Sequence, residues 1–436
     1  MASETIAGIA TAAGAAGVGI VRLSGPSALA IATAVTGRGA SALPDRRLVR
    51  AVVRSADGAR LDDGLVVAMR GPHTFTGEDV VELQVHGGAV NLGRVLSAVV
   101  AAGARIAEPG ELTRRAVAAG KVSVLEAEAM LAVVTAQTER GWAMAQAQLG
   151  GAVAAAVAAA RDQASDALAV LEAHIDFPDE DLPALVRDEL LAELGGAEAA
   201  AARLAASFGP GRVALEGLRV AFVGAVNVGK SALFNALLGR ERALVSPEAG
   251  TTRDYVEATV VWDGVAVTLI DTAGRRDQAI GLEARGIELG AARALDCEVV
   301  VEVVGPGEAA PVLAPRSLGV ASKADLGGPA PPGWLATSAV TGAGLAELRA
   351  AIVARAGLAD DPEAGSAVLL TARQHAAAAA AARGLGAARE LLSSSAPLEL
   401  VAVEARGALE ALGQLTGERV AEDVLDRLFA RFCIGK

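Results

Sequence analysis

The sequence predicts a multidomain α/β protein. It has a mixed α/β N-terminal domain, a helical domain made of two chain segments, and a parallel α/β domain inserted between those segments. Three observations carry this prediction. The chain has 436 residues, which at about 100–200 residues per domain means two to four domains. Short β-like runs alternate with helical runs in two separate stretches. Ala-rich helical texture lies on both sides of the second stretch, and one helical domain interrupted by an insertion explains this more simply than two unrelated ones.

Residues 1–120 make the first domain. Apolar runs at 19–23, 65–69 and 80–85 read as strands, and 26–35 and 91–102 as helices, with Gly and Pro between them. Residues 121–215 are the first helical segment. Stretches 124–148 and 153–173 are rich in Ala, Leu, Glu and Gln, with apolar positions at helical spacing, and predict long packed helices. The pattern breaks at 174–179, resumes to about Ala206, and stops at Phe208-Gly209-Pro210-Gly211, which reads as a domain boundary. Residues 216–360 alternate strand, loop and helix, as a parallel sheet with crossover helices does. Residues 361–436 return to Ala-rich helix, and the run 376–382 reads as helix packed through small side chains.

Composition closes off several classes. Hydrophobic residues make up 53% and charged residues 21%, and the apolar share is mostly Ala, Val and Leu, which excludes a disordered chain. Mean hydropathy is +0.42, which raises the question of a membrane. The longest apolar run, around 150–160, stops at Arg161 and is too short and too Ala-rich to span one. No basic region precedes an apolar core at the N-terminus, and Glu4 comes early, so no secretory signal is expected and the reading is cytoplasmic. Two cysteines, Cys297 and Cys433, exclude a disulfide scaffold and a cysteine-rich zinc site. Four scattered histidines argue against a His-based metal site. The net charge of −12 means that a nucleic-acid partner must meet a local basic patch.

The inserted segment carries the chemistry. The apolar run 218–223 leads into Gly224-Ala225-Val226-Asn227-Val228-Gly229-Lys230-Ser231, and Ala232 onward reads as helix. This is the P-loop pattern in its strand–turn–helix setting. The glycines let backbone N–H groups turn inward around phosphates, and the helix N-terminus favours negative charge. Lys230 would reach the β- and γ-phosphates, and Ser231 would bind Mg²⁺. A strand at 265–270 ends in Asp271-Thr272-Ala273-Gly274. A carboxylate there suits a Mg²⁺ water ligand, and the Gly274 amide can sense a γ-phosphate. Gly250-Thr251-Thr252-Arg253-Asp254 offers hydroxyls to complete the Mg²⁺ shell. Strand 318–321 leads into Ser322-Lys323-Ala324-Asp325. Asp325 can accept two hydrogen bonds from guanine N1–H and its exocyclic amine, a pair adenine lacks. Ser338-Ala339 would lie against the base. Each element alone is weak; four in order at GTPase spacing predict guanine-nucleotide binding. The usual guanine motif begins with Asn, and here Ser322 stands in its place.

With these motifs in view, the chain resembles the MnmE (TrmE) family of tRNA-modification GTPases from end to end. The strings that carry the resemblance are Gly17-Val18-Gly19-Ile20-Val21-Arg22-Leu23-Ser24-Gly25, Phe75-Thr76-Gly77-Glu78-Asp79-Val80-Val81-Glu82-Leu83, His86-Gly87-Gly88, Pro109-Gly110-Glu111, Asp176-Phe177-Pro178-Asp179-Glu180 and the terminal Phe432-Cys433-Ile434-Gly435-Lys436. The resemblance implies an N-terminal α/β domain that dimerises, a helical domain from two segments, and a Ras-like P-loop GTPase domain inserted in it. It also implies a reaction. With a flavoprotein partner (MnmG, also called GidA) in a heterotetramer, the family adds a carboxymethylaminomethyl or aminomethyl group to C5 of the wobble uridine of certain tRNAs. The one-carbon unit comes from 5-formyl- or methylene-tetrahydrofolate. FAD and most tRNA contacts are expected on the partner, which relieves the conflict between an acidic chain and a nucleic-acid substrate.

The resemblance assigns further residues. Asn227, Ser246, Thr251 and the backbone carbonyl of Glu248 match positions that hold K⁺. A K⁺ ion between the β- and γ-phosphates neutralises developing charge as an arginine finger would. Arg275, not Gln, follows the Asp-Thr-Ala-Gly string, and Glu283 matches the family's catalytic glutamate, placed to act on the attacking water. From its chemistry alone, Glu283 reads as a solvated carboxylate. Arg22, Glu82, Lys121 and Lys436 match the folate contacts; without the resemblance each reads as a surface charge. Cys433 reads either as a redox or catalytic thiol near the folate or as a small packing residue, and Cys297 as packing. The competing reading is an Era-like regulatory or ribosome-assembly GTPase. Such proteins carry a basic RNA-binding domain after the GTPase domain, whereas the C-terminal segment here is Ala-rich and helical with no GXXG element on a basic background.

Overall fold

In the computed structural model, the two stretches of alternating strand and helix become two six-stranded sheets. The structure describes residues 4–177, 186–239, 256–271, 297–355, 366–418, 420–432 and 434–435. It separates into two compact units, residues 1–131 with 416–436, and residues 132–415.

The first unit is built on β1 (Ile6–Ile9), β2 (Gly19–Ser24), β3 (Val49–Arg54), β4 (Arg60–Met69), β5 (Val80–Val85) and β6 (Arg105–Ile106). Their order is β3-β4-β5-β2-β1-β6, antiparallel except for the β1–β6 pair. Alternation decides which face is buried. Val21, Leu23, Val66, Ala68, Val81 and Leu83 are buried together with residues of helices α1 (Ala28–Thr36) and α2 (Ala89–Ala101), including Ile31, Val35, Val95 and Val99. Arg22 and Glu82 point the other way and stand opposite each other in the β2–β5 register. The helices α3 (Glu111–Ala118) and α4 (Val124–Thr135) follow. The helix Glu422–Phe429 returns to them, burying Phe429 and Phe432 with Ala127.

The chain then lays Ile434-Gly435 on β1. A side-chain carbon on Gly8 would sit 3.0 Å from the Gly435 Cα, and one on Gly435 would sit 2.2 Å from the Ile9 carbonyl oxygen. Gly435 has φ +96°. Gly435 must be glycine, and a side chain on Gly8 would press against the tail.

The second unit begins with helices α5 (Glu139–Leu149), α6 (Ala152–Asp176) and α7 (Arg187–Glu216). The predicted single helix over 124–148 is two helices. Thr138 separates them, accepting a hydrogen bond from Gly141 N–H at 3.0 Å as the cap of α5 and donating to Ala214 O at 3.1 Å.

The predicted boundary at 208–211 is also revised: α7 runs through Pro210 to Glu216. Proline inside a helix loses one backbone bond and crowds the preceding turn. Tertiary contacts compensate. Ser207 Oγ accepts from Leu369 N–H at 3.0 Å, and the missing side chain of Gly211 leaves room for the Leu369 carbonyl, which would lie 2.3 Å from a Cβ there.

The inserted sheet contains β7 (Leu218–Val223), β8 (Val256–Trp262), β9 (Val265–Asp271), β10 (Val299–Val304), β11 (Ser317–Ala321) and β12 (Leu335–Ala336) in the order β12-β11-β10-β7-β9-β8. All pairs are parallel except β8–β9. Helix α8 (Lys230–Leu238) follows β7, and α9 (Leu345–Arg355) closes the core through Leu348 and Ile352. β7 lies between β9 and β10, so loops from both sides meet beyond its C-terminal end, where open α/β sheets bind ligands.

After the insertion, α10 (Ala372–Ser393) and α11 (Leu398–Thr416) return to the helical layer, with α10 packed along α7. Buried Ala378 and Ala381 bear out the small-residue packing read for 376–382, and α11 buries Ala405 and Ala408 in the same way. Among the described residues no single helix is long and apolar enough to cross a membrane; the bent pair α5–α6 passes that test only by length and composition.

Candidate functional site

The phosphate loop forms because its sequence permits backbone shapes that other residues resist. Gly224 has φ +148°, and a Cβ there would press to 2.2 Å from the Val303 carbonyl. Asn227 (φ +63°) and Gly229 (φ +107°) complete the turn into α8. The first-turn N–H groups of α8 have no partner within the helix, which makes its start an anion site. Lys230, buried, donates from Nζ to the Gly224 and Ala225 carbonyls at 2.9 and 2.7 Å. Burial pushes its pKa down, opposed by the charges of Asp271 and Glu308. Ser231 Oγ donates to Asp271 Oδ2 at 2.6 Å, and Asp271 is itself buried at the end of β9. A hydroxyl and a carboxylate at the loop's mouth are the oxygen donors that a hard divalent cation prefers.

The base side is built from the end of β11. Ser322 is 5% exposed. Its N–H donates to Val304 O at 2.9 Å, and its hydroxyl lies within hydrogen-bond reach of Val228 O and, at 3.1 Å, of Val304 O. It therefore fastens the base loop to the phosphate loop. Lys323, at φ +56°, reaches back to donate to Asn227 O at 2.8 Å. Asp325 accepts from Ser338 Oγ at 2.6 Å, which fixes its carboxylate, and Ser338 is fully buried. A cavity of about 240 Å³ opens here, lined by Gly229, Ala232, Lys323, Asp325, Ala339 and Val340 among others. It has a carboxylate on one wall and aliphatic surface on the others, as a flat heterocycle with N–H donors requires.

Twelve residues named from the sequence converge at this one end of the sheet: Asn227, Val228, Gly229, Lys230, Ser231, Ala232, Asp271, Ser322, Lys323, Asp325, Ser338 and Ala339. Ser246, Glu248, Thr251, Thr252, Thr272, Ala273, Gly274 and Glu283 lie outside the described residues. Among the described residues, no three His, Cys, Asp or Glu side chains gather to hold a metal. Cys297 is buried against Ala221 and Ile270.

The first unit holds a second arrangement. Arg22 Nε donates to Glu82 Oε1 at 2.9 Å, and its Nη1 donates to the Gly435 carbonyl at 3.2 Å, so residues 413 apart in sequence meet on the face of the sheet away from α1 and α2. The Lys121 stem passes Gly77, with Cε 3.4 Å from where a side-chain carbon would start. Cys433 and Lys436 lie outside the described residues.

Beside this pair is a charge network that the sequence reading missed. Ser24 Oγ bonds Thr76 Oγ1 and Glu78 Oε2, both at 2.7 Å. Arg115 donates to both oxygens of Glu78 at 3.1 Å and to Glu111 Oε1 at 2.9 Å. Arg105 donates to Glu111 at 2.6 and 3.1 Å. The strings at 17–25, 75–83 and 109–111 were visible; their convergence was not, because it depends on strand order. A third cluster was also missed. Asp62 accepts from the His86 amide and shares a 2.8 Å bond with His86 Nδ1, while Asn91 donates to it at 2.6 Å. Burial works to raise the Asp62 pKa, but these hydrogen bonds outweigh it and hold it at about 2. The His86-Gly87-Gly88 string was the only signal.

Comparison with known proteins adds the family. Residues 5–121 match the model described as GTP-binding protein TrmE N-terminus, and residues 124–433 match the MnmE helical domain. A curated tRNA modification GTPase MnmE from Parvibaculum lavamentivorans is 42% identical over 99% of this chain and 100% of that protein. The protein of the same name from Symbiobacterium thermophilum is 39% identical over 100% of both chains. That from a Synechococcus species is 41% identical over 100% of this chain and 99% of its own.

Proposed function

This chain belongs to the MnmE family of tRNA modification GTPases, and from that premise we propose how its residues divide the work. It is a GTP hydrolase acting in tRNA modification. In the proposal, residues 216–360 form the GTPase domain, 121–215 with 361–436 the helical domain, and 1–120 the domain that dimerises and binds folate. Asp325 selects guanine, and Lys230 meets the β- and γ-phosphates. Ser231 and Thr252 hold Mg²⁺, with Asp271 fixing their surroundings. Asn227, Ser246, Thr251 and the Glu248 carbonyl hold K⁺. Thr272, Ala273 and Gly274 follow the γ-phosphate, and Glu283 positions the attacking water. The bound cations supply positive charge where the transition state develops negative charge.

Arg22, Glu82, Lys121 and Lys436 bind the reduced folate, 5-formyl- or methylene-tetrahydrofolate, with the Cys433 thiol nearby. The chain acts as a homodimer with a MnmG-type flavoprotein that carries FAD and most contacts to tRNA, in the cytoplasm. The product is a carboxymethylaminomethyl or aminomethyl group on C5 of a wobble uridine.

The observation that best supports this reading is the 2.6 Å bond from Ser231 to Asp271 beside the buried Lys230. A cation and two oxygen donors side by side are the groups that binding a Mg²⁺–phosphate requires. The test is GTP hydrolysis by the full-length protein in K⁺ and in Na⁺ at equal ionic strength. Strong stimulation by K⁺ is expected. Equal rates remove the ion site and leave a GTPase of another mechanism.

A further inference from the structure

We infer that this chain reads guanine without a hydrogen bond to ring nitrogen N7, and that Ser322 sets this specificity. The inference rests on the base pocket proposed above. N7 carries a lone pair and no proton, so reading it requires a donor. A serine hydroxyl has one proton. The Ser322 hydroxyl lies buried between two carbonyls, Val228 O and Val304 O. Turning it to N7 would strand the buried Val228 carbonyl, a larger loss than a neutral bond to the base returns.

Three backbone donors of the base loop are also engaged. Ser322 N–H goes to Val304 O, Ala324 N–H to Thr337 O, and Leu326 N–H to Lys323 O. Lys323 Nζ is drawn to Asn227 O on the phosphate loop. An asparagine at 322 would differ in kind. Its carboxamide has two N–H protons and an acceptor, so it can hold the loop and still present a donor. Ser322 keeps the fastening function and gives up the reading function.

The experiment is a competition titration of the full-length protein in Mg²⁺ with GDP, 7-deaza-GDP and ADP. The expected result is GDP and 7-deaza-GDP affinities equal within about twofold. In Ser322→Asn the ratio should open to about three- to tenfold in favour of GDP, the value of one neutral hydrogen bond. A threefold or greater preference for GDP in the unaltered protein overturns the inference, and this comparison decides even if Ser322→Asn fails to bind nucleotide. ADP competing as well as GDP, with Asp325→Asn leaving GDP affinity unchanged, would instead remove the base-pocket reading and the inference with it.

Discussion

Replacing Gly435 by alanine should separate the C-terminal tail from the face of the first sheet. Two costs add. At φ +96° an L side chain occupies a left-handed region that costs about 1–2 kcal/mol. The new Cβ would also lie 2.2 Å from the Ile9 carbonyl oxygen and 2.6 Å from its carbon. Those atoms are main chain in β1, where Ile9 pairs with Val21 of β2, so the sheet cannot yield cheaply. Among the described residues, Arg22 ties down the tail through its bond to the Gly435 carbonyl at 3.2 Å, and a hydrogen bond to a charged group contributes about 1.5–3 kcal/mol. Strain and collision together exceed that, so the tail lifts. Titration of the full-length protein with 5-formyl-tetrahydrofolate should then show at least a tenfold loss of affinity, with GDP affinity unchanged, and amide exchange at 434–435 should accelerate. Gly37→Ala is the control. Its φ is +66° with open space around it, so it carries the same left-handed cost of about 1–2 kcal/mol without the collision and leaves folate binding alone. Unchanged exchange in Gly435→Ala would refute the collision argument. Faster exchange with folate affinity intact would refute the tail's place in the site.

Four other outcomes follow from named groups. Asn227→Ala should abolish K⁺ stimulation of GTP hydrolysis while nucleotide affinity falls less than about threefold; surviving stimulation removes Asn227 from the ion site. Glu283→Ala should stop hydrolysis and keep GTP affinity, whereas equal loss of both would mean a structural role. Arg115→Ala leaves Glu78 and Glu111 facing each other without the guanidinium they share. It should cost about 2–4 kcal/mol in urea unfolding, only partly recovered by lysine, which lacks the fork. Asp62 titrates at about 2 when folded, below the usual carboxylate value of about 3.9. Its contribution is therefore complete above about pH 4 and disappears as pH falls toward 2, at most about 2–3 kcal/mol. Asp62→Asn should lose stability at pH 7 and flatten that part of the acid slope, and an unchanged slope would contradict the assignment.

The fold was legible wherever a signal is local. Strands β2 and β5 and helices α1 and α2 follow the periodicities at 19–23, 80–85, 26–35 and 91–102 within a few residues. The reading failed where distant chain overrode a local signal. Pro210 and Gly211 look like a stop, but the segment at 368–370 packs across them and keeps α7 helical. Thr138 reads as one more residue of a long helix, yet its hydroxyl caps the next one while holding Ala214 from 76 positions away. Propensity alone cannot show either, because the deciding partner lies in another segment.

The same division separates the two candidate sites. A phosphate loop is one strand, one turn and one helix, so Lys230 and Ser231 stand in their places as soon as the segment folds, and the sequence string is nearly the geometry. The pair Arg22–Glu82 depends on β5 lying beside β2, and its link to Gly435 depends on the last helix turning back to α3 and α4. Residue types give no hint of that; only the resemblance grouped them. Ser322 is the instructive middle case. The spacing puts it where the usual guanine motif has Asn, and the sequence alone does not say what its hydroxyl bonds. In the structure the buried hydroxyl bonds Val228 O and so holds two loops together. Which partner takes a single proton is decided by packing, and packing is what a linear motif omits.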